Sequence, residues 1–258
     1  MIDKNTIINK LTEALEPLTF IYAFWLEGAD ATNTADEYSD IDFWVDFEDE
    51  HEEQAIEAVE NALSEISEID YKYVMHHSHP KIRQRIYHLE GTSKYLMLDF
   101  CWQLHSRPND EYAYHENDSV EAAKIVFDKK NLLQLKPPRV WEFSEENQAQ
   151  LEEAEYRRTQ HCRAEKYVHR GQYLEAYAYY NRYVLEPLIV LLRLIHTPAY
   201  LYYFLVHISQ HIPQNERQKL EYFAKVSSLD DISERISLAG KWFDELVKVL
   251  QAKRRERG

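Results

Sequence analysis

The stretch Trp25-Leu26-Glu27-Gly28-Ala29-Asp30-Ala31-Thr32-Asn33-Thr34-Ala35-Asp36-Glu37-Tyr38-Ser39-Asp40-Ile41-Asp42 decides how the rest of the chain is read. The run Phe20 to Leu26 is apolar and rich in β-formers, which predicts a strand. Gly28 to Ser39 is polar and turn-prone, and Ile41 to Phe47 predicts a second strand. In that strand Asp40, Asp42 and Trp44 alternate with Ile41, Phe43 and Val45, so the two aspartates share one face. A third carboxylate, Asp99, lies inside the apolar run Tyr95 to Trp102. An unpaired buried carboxylate costs on the order of several kcal/mol, so such a residue calls for a donor or a cation nearby. Three carboxylates directed at one sheet face supply the oxygen ligands that Mg²⁺ takes when it bridges substrate phosphates.

Around this core the chain reads as two domains. Ile7, Ile8, Leu11, Ala14 and Leu15 recur at helical spacing from Asp3 to Leu15. A second amphipathic pattern spans residues 50 to 66 behind the acidic run Glu48-Asp49-Glu50, which suits a helix N-terminus. Strands are predicted at Tyr71 to Met75, Arg85 to Glu90, Tyr95 to Trp102 and Ala123 to Phe127. Pro137-Pro138 marks a break, after which the period is helical. One helix is expected over Ser144 to His169, capped by Ser144 and stopped by Gly171. A second runs from Tyr173 to Ile195 with a kink at Pro187, and further helices are expected over Tyr200 to Ile208, Asn215 to Val226 and Leu229 to Leu250. The expectation is a mixed α/β domain over 1–136 and an all-α helical bundle over 143–258.

The 258 residues carry 30 Lys and Arg against 45 Asp and Glu, a formal charge of −15. A phosphate backbone meets net repulsion from such a chain, so no nucleic-acid partner is expected. Leu188 to Ile195 is the nearest approach to a membrane span, but it contains Arg193 and stops at Pro198. With no signal-like start, a cytoplasmic protein without a membrane partner is the default reading. Cys101 and Cys162 match no ligand or disulfide spacing and read as small core residues.

The spacing of Gly28, Asp40, Ile41, Asp42 and Asp99 resembles the nucleotidyltransferase superfamily of DNA polymerase beta. Ser39-Asp40-Ile41-Asp42 is similar to its aminoglycoside and lincosamide nucleotidyltransferase branch. The likeness covers residues 20 to 102. It implies an N-terminal nucleotidyltransferase domain, a mixed sheet flanked by helices, followed by the helical bundle. It further implies Asp40 and Asp42 as ligands of two Mg²⁺ ions with Asp99 completing the site, so that all three are catalytic and metal-binding. Gly28, Ala29 and Ser39 fall where the nucleotide triphosphate is held, with ATP or another NTP as co-substrate. The implied reaction is transfer of AMP to a hydroxyl of a small molecule, for which an aminoglycoside-like polycation suits the charge. Two departures stand out: Ala29 replaces a Ser or Gly, removing a hydrogen bond worth about 1 kcal/mol net, and Asn33 replaces a Gly. Ala29 keeps open a catalytically silent nucleotide-binding or protein-interaction module, and a protein-directed AMP transferase of the antitoxin kind is a third reading. No residue of the pattern speaks to oligomeric state.

Glu165, Glu175 and Glu186 are candidate general bases on the helices, although each suits a surface ion pair. His76, His77 and His79 before Pro80 suit a loop better than a metal site. Arg163 and His169 are similar to the Arg-to-His motif of a helical RNase family, a short match that the acidity opposes. The tyrosines between Tyr167 and Tyr183 suit bundle packing, with stacking on a ring substrate as the alternative.

Overall fold

The computed structural model describes residues 2–108 and 113–257. The chain divides into two compact units, Met1–Arg139 and Val140–Gly258.

The first unit begins with α1 (Lys4–Leu15), whose N-cap Asp3 accepts from the Thr6 amide. Strand β1 (Ile21–Leu26) leads into α2 (Gly28–Thr32), a short helix where the sequence predicts only a polar turn. Then come β2 (Ile41–Phe47), α3 (Glu52–Ile66), β3 (Ile69–Met75), β4 (Ile82–Leu89), β5 (Leu98–Leu104) and β6 (Lys124–Asp128). The six strands form one mixed sheet in the order β3-β4-β5-β2-β1-β6. β2 and β5 pair parallel, while the other neighbours are antiparallel.

Strict alternation gives this sheet two unlike faces. One carries Phe24, Phe43, Phe100, Trp102 and Tyr87, which join Ile7, Leu11 and Leu15 of α1 and Val59 and Leu63 of α3 in a single core. Phe43 stacks between Phe24 and Phe100, at ring separations of 5.6 and 4.4 Å. The other face carries Trp25, Asp42, Trp44, Asp99, Cys101 and Gln84, and it is this polar face that positions the candidate site.

The second unit starts at α4 (Glu145–Thr159), where Ser144 and Asn147 form a reciprocal capping box. The single helix expected over Ser144 to His169 is instead broken before α5 (Cys162–His169). Thr159 Oγ1 donates to the Tyr156 carbonyl and His161 Nδ1 to that of Arg158, and these side chains end the backbone ladder. α6 (Tyr173–Tyr180) passes through a π-helical turn, Asn181–Leu185, into α7 (Glu186–His196). The wide turn lies just ahead of Pro187, which has no N–H to complete a regular ladder, so the expected kink appears as a π turn.

The helix expected over Tyr200 to Ile208 is also replaced, by a 3₁₀ segment Pro198–Tyr203 and the short α8 (Ile208–His211). Arg193, fully buried, donates Nε to the Phe204 carbonyl at 2.8 Å and Nη2 to that of Val206. Phe204 and His207 take positive φ. A guanidinium that must satisfy its donors inside the unit overrides local helical preference here. α9 (Gln214–Ala224) and α10 (Leu229–Arg257) complete the unit. Among the described residues no helix is long and apolar enough to cross a membrane. Cys162 is exposed and Cys101 half-buried, so neither is the core residue the sequence suggested.

Phe43 is fully buried at the centre of the aromatic stack. Phe43→Ala is expected to lower unfolding stability by about 3–5 kcal/mol, read as a fall in the urea midpoint without a change in slope.

Candidate active site

The parallel pairing of β2 with β5 sets Asp42 directly opposite Asp99. Both belong to the polar face, so the two carboxylates project from neighbouring strands onto one surface. Gln84, on the neighbouring β4, donates its amide to both Asp99 oxygens at 2.9 Å and so fixes the orientation of that carboxylate. Asp40 stands just before β2 and is exposed.

Gly28 opens α2 with φ +57°, and a Cβ built there would lie 2.0 Å from Asp42 Oδ2. The glycine is therefore required twice over, by its left-handed backbone and by the close approach of the Asp42 carboxylate. Ala29 follows inside α2, and its carbonyl accepts from the Thr34 amide at 3.0 Å. Asn33 closes the helix at φ 58°, a left-handed position that Asn tolerates without glycine. Ser39 does not present a free hydroxyl: Oγ donates to Asp36 Oδ1 and accepts from the Asp36 amide, both at 2.9 Å. Its part is to shape the loop that carries the chain from α2 into β2.

The electrostatics are those of crowded anions. Burial pushes Asp42 up to about 7, helped by the charges of Asp40, Asp99, Glu27 and Asp30. Asp99 is raised as well, by burial first, with the Gln84 amide opposing and the Asp40 charge adding to it. Burial likewise raises Glu27, against the donors Tyr114, Trp44 and Trp25. Such shifts mark a site that favours protons or cations.

Four contributors lay beyond sequence reasoning. Lys4 of α1 donates Nζ to Asp30 Oδ2 at 3.0 Å and to the Asp40 carbonyl at 2.8 Å, tying together the two ends of the loop. Tyr114 donates to Glu27 and accepts from Trp25 Nε1 at 2.8 Å. Glu27 had one signal, an acidic residue ending an apolar strand; Lys4, Gln84 and Tyr114 had none, since their partners are remote in sequence.

Asp40 and Asp99 also line an open groove of about 540 Å³ with Met97, Ile86, His88, Lys94 and Tyr71. The histidines of the 76–79 segment serve the turn: His77 Nδ1 accepts from the His79 amide and His79 Nδ1 from that of Lys81. Of the candidate bases in the helical unit, Glu186 is paired with Arg157 and Glu165 lies 3.8 Å from His161, while Glu175 sits in the first turn of α6.

Among the described residues no three His, Cys, Asp or Glu side chains come together closely enough to hold a metal ion. Mg²⁺ usually keeps waters and takes only one or two carboxylates with substrate phosphates, so an adjacent pair with raised proton affinity fits it without a closed protein cage.

The chain matches no protein-family model and no curated protein sequence. Among solved structures it is similar to an aminoglycoside 6-adenyltransferase from Bacillus subtilis, with 13% identity, TM-score 0.41, and coverage of 98% of this chain and 91% of that one. A spectinomycin adenyltransferase, AAD(9), from Enterococcus faecialis, crystallised with ATP and spectinomycin, gives 13% identity and TM-score 0.32 over 96% of this chain and 100% of that one. JHP933 from Helicobacter pylori gives 12% identity and TM-score 0.28 over 97% and 96%. At these TM-scores the likeness does not bear on what this chain does.

Two outcomes follow from the geometry. A carboxyl whose folded pKa lies above its unfolded value stabilises the fold below the unfolded pKa and loses that contribution as pH rises through the folded one. For Asp42 the window runs from its ordinary 3.8 to about 7. Asp42→Asn is therefore expected to raise the melting temperature relative to wild type at pH 8 and to leave it little changed at pH 3.5, read by calorimetry. Gly28→Ala is expected to destabilise more than Gly91→Ala, which shares a positive φ but has nothing within 4 Å of the added Cβ. Equal losses in the two variants would refute the close packing of Gly28 on Asp42.

Proposed function

We propose that the chain is a divalent-cation-dependent nucleotidyltransferase that moves a nucleotidyl group, AMP from ATP, to a hydroxyl of a small molecule. The observation that carries this reading is the register that seats Asp42 beside Asp99 while Gly28 packs against the Asp42 carboxylate. That arrangement unites two charge-bearing strands with a tight turn suited to polyphosphate.

Asp42 and Asp99, with Asp40 alongside, would hold Mg²⁺. When bound, the cation neutralises triphosphate charge and acidifies an attacking hydroxyl. Gln84 keeps the Asp99 oxygens aimed across to β2. Lys4 holds the Asp40 carbonyl and Asp30, so the loop from Gly28 to Asp40 keeps its shape as anionic substrate arrives. The first amides of α2 lack intrahelical partners by the geometry of any helix start and can donate to phosphate oxygens. With Ala29 in place of a hydroxyl residue, these backbone donors carry that task without a side-chain supplement. On the acceptor side, the formal charge of −15 suits a polycation such as an aminoglycoside-like compound.

Ala29 also favours a second reading, a nucleotide-binding module without turnover. Calorimetric titration of ATP with Mg²⁺ into wild type and into an Asp40→Asn, Asp42→Asn double variant separates these from a retired site. Binding in the micromolar to low-millimolar range that needs Mg²⁺ and is lost in the double variant is the expected result. Equal or absent binding in both proteins, repeated with GTP, CTP and UTP, overturns both nucleotide readings. Label from α-labelled ATP appearing in a small-molecule ester then distinguishes transfer from silent binding, and label on protein identifies a protein-directed transferase.

A further inference from the structure

The helical unit carries a basic, aromatic surface that the carboxylate site does not use. On α5, Arg163, Lys166, Tyr167 and Arg170 fall at i, i+3, i+4 and i+7, so all four project from one face of the helix. α6 packs against α5 and supplies Tyr179. The π-helical turn that follows, an irregularity often found at functional sites, adds Arg182 and Tyr183. The three rings form a column: Tyr179 stacks on Tyr167 at 5.1 Å and on Tyr183 at 5.7 Å, with interplanar angles of 8° and 11°. Cations flank its two end rings. Lys166 and Arg170 lie over Tyr167 at 5.4 and 5.3 Å, and Arg163 and Arg182 each lie over Tyr183 at 5.8 Å.

All four cations are exposed, and among the described residues none has a carboxylate within ion-pair distance. Arg163 Nε donates to the neutral Gln160 Oε1 at 3.1 Å. Lys4, Arg83, Arg157 and Lys219, elsewhere in the chain, each have a carboxylate partner. Two carboxylates belong to the same helix pair. Glu165 lies two residues from Arg163, off the basic stripe, and is 3.8 Å from His161. Glu175, in the first turn of α6, shares a helix face with Tyr179 and is the acid beside the column. The formal charge of −15 repels a polyanion at long range, but at physiological ionic strength charges farther than about 8 Å are largely screened. Contact is therefore governed by the local excess of positive charge.

We propose that the α5–α6 surface binds single-stranded nucleic acid, with Arg163, Lys166, Arg170 and Arg182 on its phosphates and unpaired bases against the tyrosine column. The tyrosines choose among the polyanions. Unpaired bases stack on aromatic rings and on guanidinium planes alike, so a single strand engages both components of the surface. A duplex keeps its bases inside, and an acidic peptide has none. The net charge that argues against nucleic acid is an average over the whole chain, which this surface escapes. The proposal does not depend on the nucleotidyl-transfer reading, and its test uses neither ATP nor a divalent cation.

Fluorescence anisotropy on the full chain tests it with three fluorescein-labelled probes: a twelve-nucleotide oligothymidylate, a DNA duplex of the same length and a dodeca-glutamate peptide. The expected result is saturable binding of the oligothymidylate with Kd of about 100 µM or tighter at 50 mM salt, and at least fivefold weaker binding of the other two. Log Kobs should fall with log salt at a slope of about −2 to −3, from roughly 0.7 per phosphate contact. Arg163→Gln with Arg170→Gln should flatten that slope by about 1.4 and weaken binding at least fivefold. Lys241→Gln with Lys248→Gln, two exposed cations of α10, should change nothing. Tyr179→Leu should weaken the oligothymidylate at least threefold at an unchanged slope, and Glu175→Gln should tighten it about twofold by removing the nearby negative charge. Near-UV circular dichroism verifies each fold; should Tyr179→Leu not fold, the duplex comparison decides the part of the rings. No saturable oligothymidylate binding, a slope flatter than −1, or equal affinity for duplex or peptide would overturn the proposal. So would a folded Tyr179→Leu that binds undiminished, or a hairpin double variant no weaker than the α10 pair.

Discussion

The parallel pairing of β2 with β5 is the constraint on which the first unit depends. Each strand presents its phenylalanines to one face and its carboxylate to the other, so the same register that stacks Phe43 on Phe100 also sets Asp42 opposite Asp99. A slip of one residue would drive Asp42 into the aromatic core and expose Phe43, a cost no loop could offset. Because parallel neighbours need a long crossover, the chain between β2 and β5 builds α3, β3 and β4 on the way. That crossover completes the core with Val59 and Leu63 and delivers Gln84 to the Asp99 carboxylate. Core packing and site geometry are thus one decision, made by alternation.

Electrostatics work against the fold at this same place. Burial, together with Asp40, Asp99, Glu27 and Asp30, raises the proton affinity of Asp42, while the Gln84 amide at Asp99 and the Lys4 ammonium at Asp30 work in the opposite direction. A site held in this condition gains most from whatever brings positive charge to it. The strain is tolerated because the opposite face of the sheet is so well packed, with Phe24, Phe43, Phe100 and Trp102 fully buried.

In the second unit, local irregularity does the positioning. Pro187 turns a continuous helix into a π turn, Arg193 bends the segment after α7 around its own donors, and side chains of Thr159 and His161 end α4. Each interrupts a helical pattern that periodicity alone would extend. Two of them act within a few residues in sequence and could be anticipated; the Arg193 contacts cross a loop and could not.

The sequence by itself determined the alternation of Ile41 to Phe47, the helical stripe of Ile7, Leu11 and Leu15, the cap at Ser144 and the stop at Gly171, because all of these are settled by residues within one turn or one strand. It also marked Asp40, Asp42 and Asp99 as residues in search of a partner, since carboxylates in apolar strands announce a cost. Only the tertiary structure decided that Asp42 and Asp99 are neighbours, that Gln84, Lys4 and Tyr114 serve the site, and that the Asp42 carboxylate closes on Gly28. Those outcomes depend on which strands pair and in what register. Register is set by the burial of whole faces and not by any local run of residues, so a side chain and the partner it meets 15 to 89 positions away carry no mark of each other in the sequence.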